Sequence, residues 1–362
     1  MKAIAAAVLL LALGGTSYAQ TGDPARGSTL YHTTYKCTDC HGDPPGANPA
    51  NDQFLIKQGT PLGIANAVVL IPDMSARYLG ILDVNAVDLA DLSAYLAQFA
   101  APPLSANYEG IWWNSPAGSE SGWGINFEHQ GDIIFATWFT YDTKGKGWWL
   151  VMIASKSAPN TYAGTLYTTS GPAFNAVPFN PANVVSTAVG SATLSFTDAN
   201  NGSFSYTVNG VSQAKSITRQ VFGPLPTCAT AVDLAAATNY QGLWWAAPPG
   251  SESGWGVNFA HEGDTIFATW FTYDLDGTPL WLVAIAAKTA PGVYAGTLYR
   301  TTGPAFSAVP FDPANVVSTA VGNATLTFTD GNTGTFAYNV NGIAQVKAIT
   351  RQVFSGTGTT CH

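Results

Sequence analysis

The chain has 362 residues, of which 46% are hydrophobic and only 10% are charged, with 11 Trp, 18 Phe and 37 Gly. This composition favours a β-rich extracellular protein over a cytosolic enzyme. The formal net charge of −8 argues against nucleic acid as a partner and suits a basic partner protein or simple solubility.

The N-terminus has the layout of a secretory signal peptide over residues 1–19. A short apolar run follows Lys2, and small residues up to Ala19 predict cleavage before Gln20. The run is too short to cross a membrane, and no later run reaches that length. The sequence therefore predicts a periplasmic or secreted bacterial protein without a membrane span, with a mature charge of about −9.

The segment Cys37-Thr38-Asp39-Cys40-His41 has the spacing C-x-x-C-H, which is typical of c-type haem attachment. A thioredoxin-like pair and half of a zinc site are the alternatives for C-x-x-C, but no βαβ pattern surrounds it and no second pair follows at zinc spacing. We expect one covalently attached haem c, with thioether bonds to Cys37 and Cys40 and with His41 as the proximal iron ligand. Residues 22–31 predict a helix that leads into the motif.

With this motif, residues 22–100 resemble a small class I monohaem cytochrome c. The resemblance implies an all-α domain that transfers single electrons, and it places the distal iron ligand at Met74, within Ile71-Pro72-Asp73-Met74. The separation of 33 residues between His41 and Met74 is short for this family. His32 as the distal ligand, an open iron position, and Met74 as a core residue are the alternatives.

Residues 85–99 predict an amphipathic helix that matches the C-terminal helix of that family. Leu89, Leu92, Leu96 and Phe99 form one apolar stripe, and Asn85 supplies a cap. Residues 101–106 read as a short linker.

Beyond the linker the sequence repeats with a shift of 132 residues, so that 107–113 returns as 239–245 and 118–124 as 250–256. Such a long period indicates a duplicated domain. Alternating apolar residues and turns such as Asn209-Gly210 predict about eight antiparallel strands per copy, in a barrel or a sandwich. The predicted fold class is thus a small all-α cytochrome c domain at residues 20–103, followed by two all-β repeat domains at 104–230 and 231–362.

All 11 Trp lie in the β copies. We expect them to build the barrel core and rim, while an exposed group at Trp112, Trp113 and Trp123 with their repeat partners is the pattern that a carbohydrate or other flat ligand would need. Each copy also has one histidine with acidic residues nearby, and such a group can act as a general base. We expect surface or core positions for these histidines, which are His129 near Glu120 and Asp132, and His261 near Glu252 and Asp264.

Two cysteines remain outside the haem motif. In an oxidising compartment Cys228 and Cys361 should form a disulfide that links the two β copies. Cys361-His362 resembles the end of a haem motif, but Gly358 replaces the first cysteine, so no second haem is expected.

These observations predict an exported electron carrier rather than an enzyme, with tandem β domains that dock it to a partner. Two alternatives stay open. In one, the β domains bind or oxidise a glycan or small ligand and use the haem as electron acceptor. In the other, they form a scaffold that spaces haems along an assembly.

Overall fold

The computed structural model describes residues 22–41, 43, 45, 61, 64, 68, 74, 86–96, 107–231 and 233–362. The contacts divide the chain into two compact units, Met1–Ser105 and Ala106–His362. The predicted signal peptide, its cleavage point and the linker at 101–106 lie outside the described residues.

The first unit is helical where it is described. Its elements are α1 (Pro24–Thr29), a π-helix (Leu30–Thr34), α2 (Thr38–His41) and α3 (Ala86–Leu96). The Asp23 carboxylate accepts hydrogen bonds from the backbone N–H groups of Ala25 and Arg26, and Pro24 occupies the first turn, so α1 begins with a side-chain cap. No helix in the described ranges has the length and apolar character that crossing a membrane requires.

Helices α1 and α3 pack closely because Gly27 lies against the backbone of α3. A Cβ on Gly27 would overlap the Asp91 carbonyl. Arg26 forms ion pairs with Asp88 and Asp91. Buried apolar side chains fill the space beside these contacts, and we call them the helical cluster: Leu30, Tyr31, Tyr35, Ile64, Val68, Leu89, Leu92, Tyr95 and Leu96.

The predicted fold class is wrong, and so is the resemblance to class I cytochrome c. Most of the described chain is antiparallel β, and the described part of the first unit has a few short helices rather than an all-α cytochrome domain. The resemblance depended on a five-residue motif and one apolar stripe. Such features specify a turn and a helix locally, but they do not specify how a whole domain packs.

The second unit contains two closed antiparallel barrels of eight strands each, so the sandwich alternative is excluded. The first barrel consists of β1 (Gly110–Asn114), β2 (Gly124–Gln130), β3 (Ile133–Tyr141), β4 (Gly147–Ala158), β5 (Thr161–Ser170), β6 (Val185–Phe196), β7 (Asn201–Val208) and β8 (Val211–Arg219). A short strand β9 (Cys228–Ala231) follows it. The second barrel consists of β10 (Gly242–Ala246), β11 (Gly256–Glu262), β12 (Thr265–Tyr273), β13 (Pro279–Ala290), β14 (Val293–Thr302), β15 (Val317–Phe328), β16 (Thr333–Val340) and β17 (Ile343–Arg351), and β18 (Gly358–Cys361) ends the chain.

Each barrel closes because its first strand pairs with its last. Trp112 on β1 lies opposite Arg219 on β8, so the sheet has no free edge. The Asn209-Gly210 turn between β7 and β8 has φ values of 48° and 81°, a conformation that Asn and Gly adopt readily in two-residue hairpins. Side chains such as Trp138, which contacts Phe204 and Tyr206, fill the interior.

The two barrels pack against each other through the outer faces of β2–β4 and β11–β13. Phe139 contacts Phe271 and Trp281 across this interface. Trp149 donates to the Thr272 carbonyl at 2.9 Å, and its repeat partner Trp281 donates to the Thr140 carbonyl at 3.0 Å. Contacts therefore come in pairs related by the 132-residue shift, as in a two-fold symmetric dimer.

Strands β9 and β18 form a separate two-stranded ribbon outside both barrels. A disulfide joins Cys228 to Cys361, which confirms the predicted pair. The Thr359 hydroxyl donates to the His129 carbonyl of the first barrel at 2.7 Å, and the Asn239 N–H, just before the second barrel, donates to the Cys361 carbonyl at 3.1 Å. The ribbon therefore connects the two repeats.

Replacing both cysteines of this disulfide, Cys228→Ser with Cys361→Ser, should destabilise the β unit. The bond closes a sequence separation of 133 residues, so its loss should lower the free energy of unfolding by up to about 4 to 5 kcal/mol. Denaturant unfolding followed by Trp fluorescence measures this unit selectively because every Trp lies within it. Reduced wild-type protein should match the variant, and equal midpoints for the variant and oxidised wild type would contradict the prediction.

Candidate functional site

The haem motif forms a tight helical turn at the end of the first described segment. The Cys37 N–H donates to the Tyr31 carbonyl at 2.8 Å, which joins the motif to the preceding π-helix. The N–H groups of Cys40 and His41 both donate to the Cys37 carbonyl, at 3.2 and 2.9 Å. One turn of backbone therefore holds both thiols and the imidazole.

The side chains of this turn lie at the boundary between solvent and apolar surface. Cys37 and His41 are half-buried, whereas Cys40 is exposed. Cys37 packs against the helical cluster, and Met74 packs against the same cluster. The structure thus associates two of the four predicted haem-site residues with one apolar surface, while Cys40 and His41 follow Cys37 within the turn.

The donor groups at this turn and at Met74 are two thiols, one imidazole and one thioether. Among the described residues no three His, Cys, Asp or Glu side chains converge to hold a metal, and no haem-binding site is seen there. Two thiols at thioether spacing, one imidazole and one Met thioether beside aromatic and aliphatic side chains are the groups that covalent haem requires. They would hold the porphyrin edge and the two axial positions.

His32, the alternative distal ligand, has both ring nitrogens next to acceptors. Its Nδ1 lies 2.8 Å from the Ser28 carbonyl and its Nε2 lies 3.2 Å from the Asp43 carboxylate. The Ser28 carbonyl and then Asp43 raise the pKa of His32. An iron ligand needs a free nitrogen lone pair, so this arrangement disfavours His32 as an iron ligand.

The histidines of the barrels are buried core residues. His129 Nδ1 accepts from the Tyr108 N–H at 3.1 Å, and its Nε2 lies 3.1 Å from the Tyr162 hydroxyl. Burial lowers the pKa of His129 to about 4, and burial lowers that of His261 likewise to about 4. Each nearby acidic residue forms an ion pair with a lysine instead. The pairs are Asp132 with Lys156, Asp264 with Lys288, Glu120 with Lys215, and Glu252 with Lys347.

The Trp side chains do not form the exposed stacking surface that the sequence left open. Trp112 and Trp123 are 0% and 5% exposed, and their partners Trp244 and Trp255 have the same values. Trp113 and Trp245 are half-buried. The rings pack in the barrel interiors and in the interface between the barrels, and Trp113, Trp123 and Trp281 also line a cavity between the two barrels.

A buried group of ionisable side chains between the barrels was not predicted from the sequence. Glu109 and Glu128 of the first barrel lie next to Gly242 and Arg351 of the second. A Cβ built on Gly242 would lie 3.2 Å from a Glu109 oxygen, 3.1 Å from a Glu128 oxygen and 2.9 Å from an Arg351 nitrogen. The repeat itself carried a signal, because Glu109 corresponds to Gln241 and Glu128 to Ala260. The two copies therefore differ in their ionisable residues at this part of the interface.

The two carboxyl groups have unequal surroundings. Glu128 accepts hydrogen bonds from the Leu243 N–H at 2.6 Å and from Gln130 at 2.9 Å. Both carboxyl oxygens of Glu109 are buried and have no hydrogen-bond partner in the described part of the chain. Burial and then the charge of Glu128 raise the pKa of Glu109 well above its usual range, and burial raises that of Glu128 to about 7.

No family model matches this chain, and no curated protein matches it.

Glu109→Gln, which restores the residue of the second copy, should stabilise the protein at neutral pH. Burial raises the pKa of Glu109 in the folded state, so the stability contributed by neutral Glu109 is complete below pH of about 4.3 and is lost as the pH rises through the raised pKa. The variant should gain about 1–3 kcal/mol at pH 8 and little at pH 4.5, as measured by denaturant unfolding at both pH values.

Asp132→Asn is the matched control, since Asp132 is an exposed carboxylate paired with Lys156. It should change stability by less than about 1 kcal/mol at either pH. A Glu109→Gln variant that is less stable than wild type at pH 8 would show that the ionised carboxylate is held favourably.

Proposed function

We propose that this protein is an exported one-electron carrier with a single haem c attached through Cys37 and Cys40. The observation that carries the proposal is the turn that gathers two thiols and His41 beside an apolar cluster also touched by Met74. Covalent attachment depends on this short turn and not on a class I cytochrome fold. Haem attachment can therefore be proposed although the described part of the first unit does not show that fold.

The roles of the residues follow from their chemistry. The bound haem would supply the Fe(III)/Fe(II) couple. Cys37 and Cys40 would form the thioether bonds to the haem, and the His41 imidazole would bind the iron. Met74 would offer a thioether sulfur, which would favour a higher potential than a second histidine would. Cys37 and Met74 pack against the helical cluster, and these apolar side chains would limit the solvent that reorganises when the charge of the iron changes.

Export is supported by two independent features. The first is the signal-like start of the sequence, and the second is the Cys228–Cys361 disulfide, because stable disulfides are typical of oxidising compartments. We infer a periplasmic or secreted location. The acidic net charge of −8 favours a basic redox partner protein, and the barrel unit provides the larger surface for docking.

The axial assignment is tested by two Met variants, Met74→Leu and Met152→Leu. Both are expressed with a bacterial system that matures c-type cytochromes. Met74→Leu should keep the haem covalently bound but lose the weak near-infrared absorption of Met-to-iron ligation and lower the reduction potential. Met152 lies in the interior of the first barrel, so Met152→Leu should leave the spectrum unchanged.

Attachment itself is tested by Cys37→Ala with Cys40→Ala, which should abolish covalent haem in the denatured protein. The matched control is Cys228→Ser with Cys361→Ser, which should retain one haem per chain. Wild-type protein that matures without bound porphyrin, or a Cys37/Cys40 double variant with unchanged haem content, would refute the proposal.

A further inference from the structure

A cavity of about 440 Å³ lies between the two barrels. Aromatic rings from both repeats line it, with Trp113, Trp123 and Phe139 from the first and Phe267 and Trp281 from the second. This volume falls within the range of about 300–1,000 Å³ typical of small-molecule sites. The space is therefore large enough to hold a small ligand.

The wall of the cavity has no charged side chain among its lining residues. Glu120, which is bonded to the lining residue Trp123, is paired with Lys215 at 2.6 Å. The same Glu120 carboxylate accepts the Trp123 indole N–H at 2.8 Å. An ion would lose its hydration here without gaining a counter-charge, so the cavity suits a neutral ligand.

The walls are held in place before any ligand arrives. Trp123 is fixed by Glu120 and by the Lys215 ammonium, which lies 5.4 Å from the ring centroid. Trp281 is fixed by its bond to the Thr140 carbonyl at 3.0 Å. At the rim, Gly122 leaves space that Val316 occupies, and a Cβ on Gly122 would overlap Val316. A rigid aromatic wall binds a flat ring with little loss of side-chain freedom.

The chemistry of the lining residues favours a planar aromatic ring over a sugar ring. Rings and aliphatic side chains dominate, and the polar contributions come from groups such as Gln220, Thr269 and Ser318. A sugar would have to bury many hydroxyl groups against these few partners, which is costly. A planar aromatic compound can instead place both faces against apolar side chains.

We propose that the cavity between the barrels binds a small, neutral, planar ring compound. The binding site is independent of the haem proposal, since every lining residue belongs to the β unit. Repeat partners of the five rings, Trp245, Trp255, Phe271, Phe135 and Trp149, are all aromatic. Each aromatic ring of the cavity therefore lies at a position that is aromatic in both copies.

The test uses prodan, a neutral naphthalene ketone, with the full-length protein. Binding is measured by equilibrium dialysis, and the emission of prodan is a second readout because it shifts to the blue in apolar surroundings. We expect saturable binding with a blue shift. Trp113→Leu removes a half-buried ring from the wall and should weaken binding by about tenfold. Ser318→Phe, at an exposed rim position, should narrow the entrance and weaken binding comparably.

Trp148→Leu is the matched control. Trp148 is also a half-buried indole on the first barrel, its Nε1 donates to Thr168 at 2.8 Å, and the second copy has Leu280 at this position. It does not line the cavity, so affinity should stay within about twofold of wild type. Circular dichroism establishes that all variants are folded.

Several results would overturn the proposal. Binding that does not saturate, or that is equal in wild type, Trp113→Leu and Ser318→Phe, would place prodan elsewhere. Displacement of prodan by methyl β-glucoside but not by 2-naphthol would show that the site takes sugars instead of planar rings.

Discussion

The structure of the second unit depends on the mutual burial of strands that are apolar on both faces. Every residue of β2 and of β11 is buried, although an isolated barrel would expose every second one to solvent. Phe139 and Trp149 point away from their own barrel interior and reach the other barrel. A single copy would therefore present a large aromatic patch to water. The tandem arrangement removes this patch within one chain.

Duplication buries the aromatic patch of each copy against that of the other. A two-fold interface needs only one kind of surface, because the same patch is used on both sides. The Tyr206 hydroxyl donates to the Phe306 carbonyl, and the partner Tyr338 donates to Phe174, both at 2.8 Å. Once such a surface is self-complementary, copying the gene segment copies both halves of the interface. The two copies also differ in ways that a symmetric dimer of identical chains could not, since Glu109 contacts its repeat partner Gln241.

The sequence allowed the β repeats to be predicted because their signals are local. Alternation around Leu194 and Phe204 has the strand period, and the Asn-Gly turns fix the hairpins. The interface could not be predicted in the same way. An outward-facing Trp has the same local pattern whether it packs on a second barrel or binds a ligand, and only the three-dimensional arrangement distinguishes them. The buried group of Glu109, Glu128 and Arg351 was missed for this reason, since the two glutamates of the first barrel meet Arg351 and Gly242 of the second only across the interface.

In the helical unit, the local sequence pattern predicts the turn at residues 37–41 but not the fold of the domain. The five-residue motif specifies its own turn, through two backbone bonds to the Cys37 carbonyl, and chemistry that requires only this turn can be inferred from it. A domain fold requires packing between distant segments, here Arg26 with Asp88 and Gly27 against Asp91, and neither contact has a sequence pattern of its own. Attachment of a cofactor can thus be argued from residues 37–41, whereas membership of a fold family could not.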